Sequence, residues 1–234
     1  MDNAAMSDAP MNEQVSELEQ DTEQGAEQGR EEAAQNDTQA TSSKDGGGMQ
    51  LAKIAGTHVG VLLLTMSMFA AADSWAVLTG LGLASLLAVA TAFVAGITIA
   101  TLIHEWFHYL GARRSGGAYI IPRKLSLFVF DWNFEANNVS QFFTMSIAGS
   151  IGGAVAVLLL WNGVPADTLG RATLRAAAVG AFVFAAIIEW PVIQRTRTSQ
   201  QPMEELAKID QQVLTRAFVG GMAAIVVLTM MLHE

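Results

Sequence analysis

Apolar stretches long enough to span a membrane follow one another from residue 54 to the end of the chain, separated by short segments that carry most of the charges. A bilayer core about 30 Å thick needs roughly 20 apolar residues of α-helix. The predicted spans are residues 54–72, 88–112, 139–160, 174–193 and 213–232. Residues 75–87, rich in glycine, are predicted as an interfacial or re-entrant piece that leads into the second span. The pattern therefore predicts an all-α polytopic membrane protein with about five transmembrane helices.

The first 50 residues have a different composition and form a separate predicted unit. They hold twelve of the twenty-two acidic residues, only two basic ones and no aromatic residue. Such a segment buries too little apolar area to offset the entropy lost on ordering, so we expect a disordered acidic tail. Residues 51–234 are predicted to be the membrane domain, with a catalytic core at about 88–195. The lack of cysteine excludes a disulfide scaffold and a thiolate zinc site.

Basic residues set the expected orientation, because lysine and arginine concentrate on the cytoplasmic side of membrane proteins. One set of connecting segments is rich in them: Lys53, Arg113, Arg114, Arg123, Lys124, Arg195, Arg197, Lys208 and Arg216. The other set mixes both signs: Asp73, Asp167, Arg171 and Arg175. This distribution predicts a cytoplasmic N-terminus, and we expect an integral protein of a bacterial inner membrane. The expected partners are the lipid bilayer and a membrane-embedded protein substrate, with no nucleic acid; the oligomeric state stays open.

The second predicted span ends in the sequence HEWFH, which has the H-E-x-x-H pattern. Residues i and i+4 share one face of a helix, so His104 and His108 can bind one Zn²⁺ ion, while Glu105 can accept a proton from a bound water. Zinc lowers the pKa of that water to about 7. Ionisable groups inside a span are costly and usually functional. The pattern predicts a zinc hydrolase site; snorkelling or hydrogen-bonded histidines are the structural alternative.

A catalytic zinc site needs a third protein ligand. Glu189 lies six residues before Arg195, and His108 lies five residues before Arg113, so the two side chains are predicted at similar depths. Pro191 is expected to loosen the helix beside Glu189. We therefore predict Glu189 as the third ligand, with His58 and then Asp131 as rivals.

The connector after the motif helix is predicted to form a short β-hairpin, because residues 118–121 and 125–130 are rich in strand-forming side chains. Either it rests on the membrane surface, or its edge strand holds substrate extended beside the zinc. Asn137 and Asn138 follow the connector and are predicted to bind substrate, with helix capping as the alternative. In the next helix, SIAGSIGG has the small-residue spacing that lets helices approach closely.

These motifs resemble those of the site-2 protease family of intramembrane zinc metalloproteases over roughly residues 95–195. HEWFHYLGARRSGG is similar to the family's H-E-x-G-H segment with its basic pair and glycine, and SIAGSIGG is similar to the small-residue segment that opens its next core helix. The resemblance implies an endopeptidase that cleaves membrane-tethered proteins near the cytoplasmic face. Phe107 replaces a glycine of the family motif, and IIEWPVIQ stands where the family has an Asp-Gly pair, which indicates a divergent member.

Two other functions fit parts of the same pattern. One is a catalytically inactive membrane scaffold or adaptor of the same fold. The other is a membrane redox protein in which His58 and a motif histidine ligate haem. Glu105 favours the zinc hydrolase over haem, because a haem site has no use for that carboxylate.

Overall fold

Five helices long and apolar enough to cross a membrane make up most of the structure, a computed structural model that describes residues 47–124 and 126–234. They are α1 (Gly47–Thr79), α2 (Gly82–Arg114), α3 (Val139–Gly163), α4 (Leu169–Ser199) and α6 (Gln211–His233), with the short α5 (Pro202–Ala207) between the last two. The prediction of a mainly helical protein with five helices long and apolar enough to span a membrane is confirmed. Most of the predicted acidic tail lies outside the described residues, but residues 47–50 belong to α1.

The prediction of a separate re-entrant piece at 75–87 is wrong. Residues 75–79 complete α1, and residues 82–87 begin α2. Gly80 separates the two helices with a φ of +63°, a left-handed conformation that glycine adopts without strain, and its N–H donates to the carbonyl of Ala76. Two residues, Gly80 and Leu81, therefore connect the helices in place of the predicted segment. Each helix has 33 residues and is about 50 Å long, more than the thickness of a bilayer core. Each must therefore tilt in the membrane or extend beyond the core.

Helices α2, α3 and α4 all pack against one another, and α6 packs against α4. Small residues permit the closest approaches. A methyl group on Gly96 of α2 would lie 2.5 Å from the carbonyl oxygen of Leu174 in α4, and one on Gly180 of α4 would lie 2.7 Å from that of Gly221 in α6. The buried cluster between α2, α3 and α4 is accordingly built largely from alanine and leucine. Close backbone packing of this kind is typical of helix association in membranes.

An ion-pair network joins α1 to the beginning of α4. Asp73 is 4% exposed and accepts hydrogen bonds from Nε of Arg171 (2.8 Å) and the hydroxyl of Thr168 (2.8 Å). Arg171 also pairs with the exposed Asp167 at 2.9 Å. The mixed charges predicted for one set of connecting segments thus meet at one end of the helix bundle.

The connector contains a β-hairpin, as predicted, but its second strand is displaced. β1 (Tyr119–Ile120) pairs antiparallel with β2 (Asp131–Trp132), with Tyr119 opposite Trp132. The prediction of a strand at 125–130 is wrong for residues 126–130, and residue 125 lies outside the described part. The carbonyl of Ser126 instead accepts a hydrogen bond from His58 of α1, and Val129 is fully buried, whereas Leu127 and Phe128 are exposed and the stretch does not pair as a strand.

Candidate metal centre

The α-helical conformation of α2 places the two motif histidines on one face, one turn apart. Nε2 of His104 and Nε2 of His108 are 2.9 Å apart, and the ring planes are nearly perpendicular. His104 is 8% exposed. The i, i+4 spacing thus brings two imidazole nitrogens to one point inside the bundle, as predicted.

Glu189 of α4 reaches the same point. Its Oε1 lies 2.7 Å from Nε2 of His104 and 3.3 Å from Nε2 of His108. Helix α4 continues through Pro191 to Ser199, so the proline does not end it. The three side chains form a group that can hold a metal ion. We name it the His104–His108–Glu189 cluster.

The hydrogen bond between His108 and Met145 determines which ring nitrogen of His108 carries the proton. Its Nδ1 lies 3.0 Å from the carbonyl oxygen of Met145, which only accepts, so Nδ1 carries a proton. In the neutral ring Nε2 is then an acceptor, and it faces the Glu189 carboxylate, which also only accepts when ionised. Two acceptors in contact need positive charge between them, from either a proton or a metal ion.

One further atom of the cluster fits a metal better than a proton network. Oε2 of Glu189 is buried without a hydrogen-bond partner. Buried polar atoms usually have partners, and a metal ion held by the cluster can be that partner. Two imidazoles and one carboxylate are a ligand set found at catalytic zinc sites. The donor set therefore fits zinc.

Glu105 lies beside the cluster without belonging to it and lines two cavities that meet there. The α6 cavity, about 360 Å³, lies among α2, α4 and α6 and also contacts His104 and Glu189. The connector cavity, about 250 Å³, lies beneath the connector and contacts His108 and Glu189. Glu105 and Glu189 line both cavities. A carboxylate outside the His104–His108–Glu189 cluster thus lies between two cavities.

The two rival ligands lie elsewhere. Nε2 of His58 is 3.0 Å from the carbonyl of Ser126, and its Nδ1 accepts a hydrogen bond from the indole of Trp106 at 3.1 Å. Asp131 is an exposed residue of β2. Since both nitrogens of His58 have protein partners, the geometry also weighs against His58 as a haem ligand.

Asn137 and Asn138, the predicted substrate-binding residues, both make hydrogen bonds within the protein. The amide of Asn137 bonds both the N–H and the carbonyl of Ala118, which extends the hairpin ladder. Asn138 caps α3 through a reciprocal pair of hydrogen bonds with Gln141. Capping, the alternative for Asn138, is therefore present in the structure, while substrate binding by either residue stays a prediction.

Gly149 has a role in the site that the sequence did not reveal. Its spacing predicts helix packing, but a methyl group on it would collide with the imidazole of His108, with Nδ1 only 2.5 Å away. Nearby, a methyl group on Gly153 would be in ordinary contact with Nδ1 of His104 at 3.6 Å but would clash with the ring of Phe182 at 2.7 Å. Gly149 therefore makes room for the His108 ring, and Gly153 makes room for Phe182. Trp106 was also not singled out from the sequence, although its indole donates a hydrogen bond to His58. Its position inside the H-E-x-x-H motif was the only signal for it in the sequence.

Comparisons of the chain with protein-family models, curated proteins and solved structures gave no match. The likeness of its motifs to the site-2 protease family therefore stays a prediction. What can be argued about function comes from the geometry around the His104–His108–Glu189 cluster.

Proposed function

We propose that this chain is a zinc-dependent intramembrane endopeptidase that cleaves membrane-tethered protein substrates near the cytoplasmic face, as a divergent member of the site-2 protease family. One observation carries the proposal: two histidines of α2 and a carboxylate of α4 converge on one point, with Glu105 and two cavities beside it. All four ionisable side chains belong to helices of spanning length. Ionisable groups in such positions are expensive to insert and are usually retained for function.

In this proposal each side chain has a separate task. His104, His108 and Glu189 hold the zinc ion, and His108 is kept in the required tautomer by the Met145 carbonyl. Zinc supplies the Lewis acid that activates water for attack on a peptide carbonyl. Glu105 accepts the proton of the attacking water and returns it to the leaving amine. The apolar walls of both cavities limit access of other water molecules and so strengthen the electrostatic interactions inside.

The connector supplies the means to hold a substrate in an extended conformation. A helical peptide has its carbonyls in hydrogen bonds, so it must unwind before a bond can be hydrolysed. The two-stranded hairpin has outer edges to which an extended segment can add as a further strand. The concentration of basic residues in the same set of connecting segments supports a cytoplasmic position for this end and an N-terminus on the same side, in a bacterial inner membrane.

The test compares the full chain in detergent with its Glu105→Gln variant. We expect about one zinc ion per chain in both proteins by elemental analysis. Cleavage of an unstructured apolar peptide should fall by a factor of 10² to 10⁴ in the variant, as is typical when a general base is lost. Glu135→Gln, a change of an exposed carboxylate in the connector, is the matched control and should cleave as the wild type does. Chelation with 1,10-phenanthroline should abolish cleavage, and added zinc should restore it.

Three outcomes would contradict the proposal in different ways. Absence of zinc from the purified protein refutes the metal site, and a Soret band in its absorption spectrum indicates haem instead. Full cleavage by the Glu105→Gln variant shows that Glu105 is not the general base. If the protein binds zinc but cleaves nothing, and the Glu105→Gln variant behaves normally in cells, the chain is an inactive scaffold. Substrates can then be sought as membrane proteins that accumulate in the Glu105→Gln strain.

A further inference from the structure

The connector cavity is polar at one end only. Glu105, His108 and Glu189 form that end, and with the exception of Ser146 every other residue that lines the cavity is apolar. Five of the apolar residues are aromatic: Phe128, Phe130, Trp132, Phe134 and Phe142. A space that begins at the reacting groups and continues between aromatic rings suits an apolar side chain whose backbone lies at the cluster.

The walls of this cavity come from parts of the chain that are far apart in sequence. The connector contributes most of the aromatic rings, α3 contributes Phe142 and Met145, and α4 contributes Val192. Leu206 of α5 and Ile209, just after it, complete the walls. Phe142 and Val192 are each only 3% exposed, so the interior walls are fixed by the core of the protein. Surfaces positioned by buried packing can discriminate between side chains by size.

The volume of the cavity decides what it can take. The connector cavity has a volume of about 250 Å³. A cavity of about 150 Å³ is enough for benzene. The space therefore matches one large side chain, such as phenylalanine, leucine or methionine.

We infer that the connector cavity is a specificity pocket that takes a bulky apolar side chain of the substrate residue next to the scissile bond. This inference rests on the proposed function, since it places the scissile carbonyl at the His104–His108–Glu189 cluster. The α6 cavity contacts the same cluster from inside the helix bundle and leaves room for the remaining substrate. The substrate class is thus a membrane-tethered protein with a large apolar residue beside the cleaved bond.

The test measures binding without turnover, in zinc-loaded Glu105→Gln protein. The probes are peptide hydroxamates that chelate zinc and carry a methyl, isobutyl or benzyl side chain, in two series with that side chain on either side of the chelating group. In one series we expect affinity to rise at least tenfold from methyl to benzyl, since single methylenes in apolar pockets change discrimination by about 10- to 200-fold. Cleavage of matched peptides by the wild type should follow the same order.

Variants that change the pocket should change this preference. Ile209→Trp fills the cavity and should remove the benzyl preference while the methyl compound still binds; Leu214→Trp, an exposed position on α6, is the matched control. Phe134→Ala enlarges the cavity and should shift the optimum to a naphthylmethyl side chain. Phe143→Ala, a partly buried phenylalanine of α3 that does not line the cavity, is its control. A loss of folding affects all side chains alike and therefore cannot produce a change of preference.

The possible outcomes distinguish failure of the specificity pocket from failure of the proposed endopeptidase activity. Equal affinity across both series, or a benzyl preference that persists in Ile209→Trp, overturns the pocket even where the wild type cleaves peptides. A graded preference in zinc-loaded protein that cleaves nothing supports the pocket and refutes the endopeptidase. Protein that binds no zinc and no hydroxamate refutes both.

Discussion

Replacing Gly149 with alanine tests the metal centre without touching any ligand. The new methyl group would lie 2.5 Å from Nδ1 of His108 and closer still to the ring's Cε1 and Nε2. Ordinary contacts of such a methyl group begin at 3.4 Å and its closest approach to the ring would be 2.2 Å, so the ring must move by about 1.2 Å (3.4 minus 2.2) or α3 must move away. Zinc–ligand distances tolerate deviations of only about 0.2 Å. The required displacement is several times larger than the site accepts.

We therefore expect Gly149→Ala to bind zinc more weakly by at least the 10- to 100-fold typical of a lost supporting contact. Cleavage at limiting zinc should fall in parallel. The displacement also threatens the hydrogen bond from His108 to the Met145 carbonyl, which selects the tautomer. Alanine is a better helix former than glycine by about 1 kcal/mol, so helix propensity alone would make the variant more stable. A loss of zinc affinity then has to come from the ring contact.

The assay is competition with a chromophoric chelator, read together with circular dichroism and size-exclusion chromatography in detergent. The control is Gly163→Ala, in the same helix, where a methyl group meets nothing within 4 Å. That variant should bind zinc as the wild type does. Equal zinc affinity in the wild type and in both alanine variants would refute the reasoning, because it would mean that His108 does not need its observed position to hold the metal.

Three further changes have separate expected results. Glu189→Gln keeps the size of the side chain but removes the anionic ligand, so zinc affinity should fall more than 100-fold, beyond the range for supporting residues. Asp73→Asn weakens the buried pair with Arg171 and should lower stability by about 1–3 kcal/mol, seen as a melting temperature lower by a few degrees. Trp106→Phe leaves Nδ1 of His58 without its donor and should reduce peptide cleavage while the zinc content stays unchanged.

Each change has a control of the same chemical kind. Glu204→Gln alters an exposed carboxylate and should leave zinc affinity as it is. Asp167→Asn affects the exposed partner of Arg171 and should shift the melting temperature by less than Asp73→Asn does; a larger shift would show that the buried pair is not the stabilising one. Trp190→Phe alters an exposed indole on α4. If it reduces cleavage as much as Trp106→Phe, the contact with His58 is not the cause.

The sequence predicted the parts of this molecule that depend on local pattern. Apolar runs of about 20 residues identified the five candidate spans. In lipid every backbone N–H and C=O group needs a hydrogen bond within the protein, and a helix supplies these bonds within a single segment. The i, i+4 spacing placed His104 and His108 together. Depth relative to the basic residues was enough to select Glu189 from another helix, since two helices that end at one membrane surface share a common reference plane.

Features that depend on three-dimensional packing could not be predicted in the same way. The apolar composition around Gly80 is continuous, so nothing in the periodicity separates a two-residue turn from a re-entrant segment. The strand-forming stretch after Leu125 is held by His58 of α1, a contact 68 residues away in sequence. The small-residue spacing of α3 predicted close packing, but not that the surface facing Gly149 is the imidazole of His108. In each case the deciding contact came from a remote part of the chain.

The three side chains of the His104–His108–Glu189 cluster come from two different helices, so the geometry of the cluster depends on how those helices are aligned lengthwise. Sliding α4 along α2 by a single residue moves Glu189 by about 1.5 Å, more than half of its 2.7 Å distance to His104. The same alignment is held by the tight contact of Gly96 with Leu174, well before Glu189 along α4. Metal affinity should therefore respond to substitutions made at the opposite end of the bundle, where no residue touches the ion.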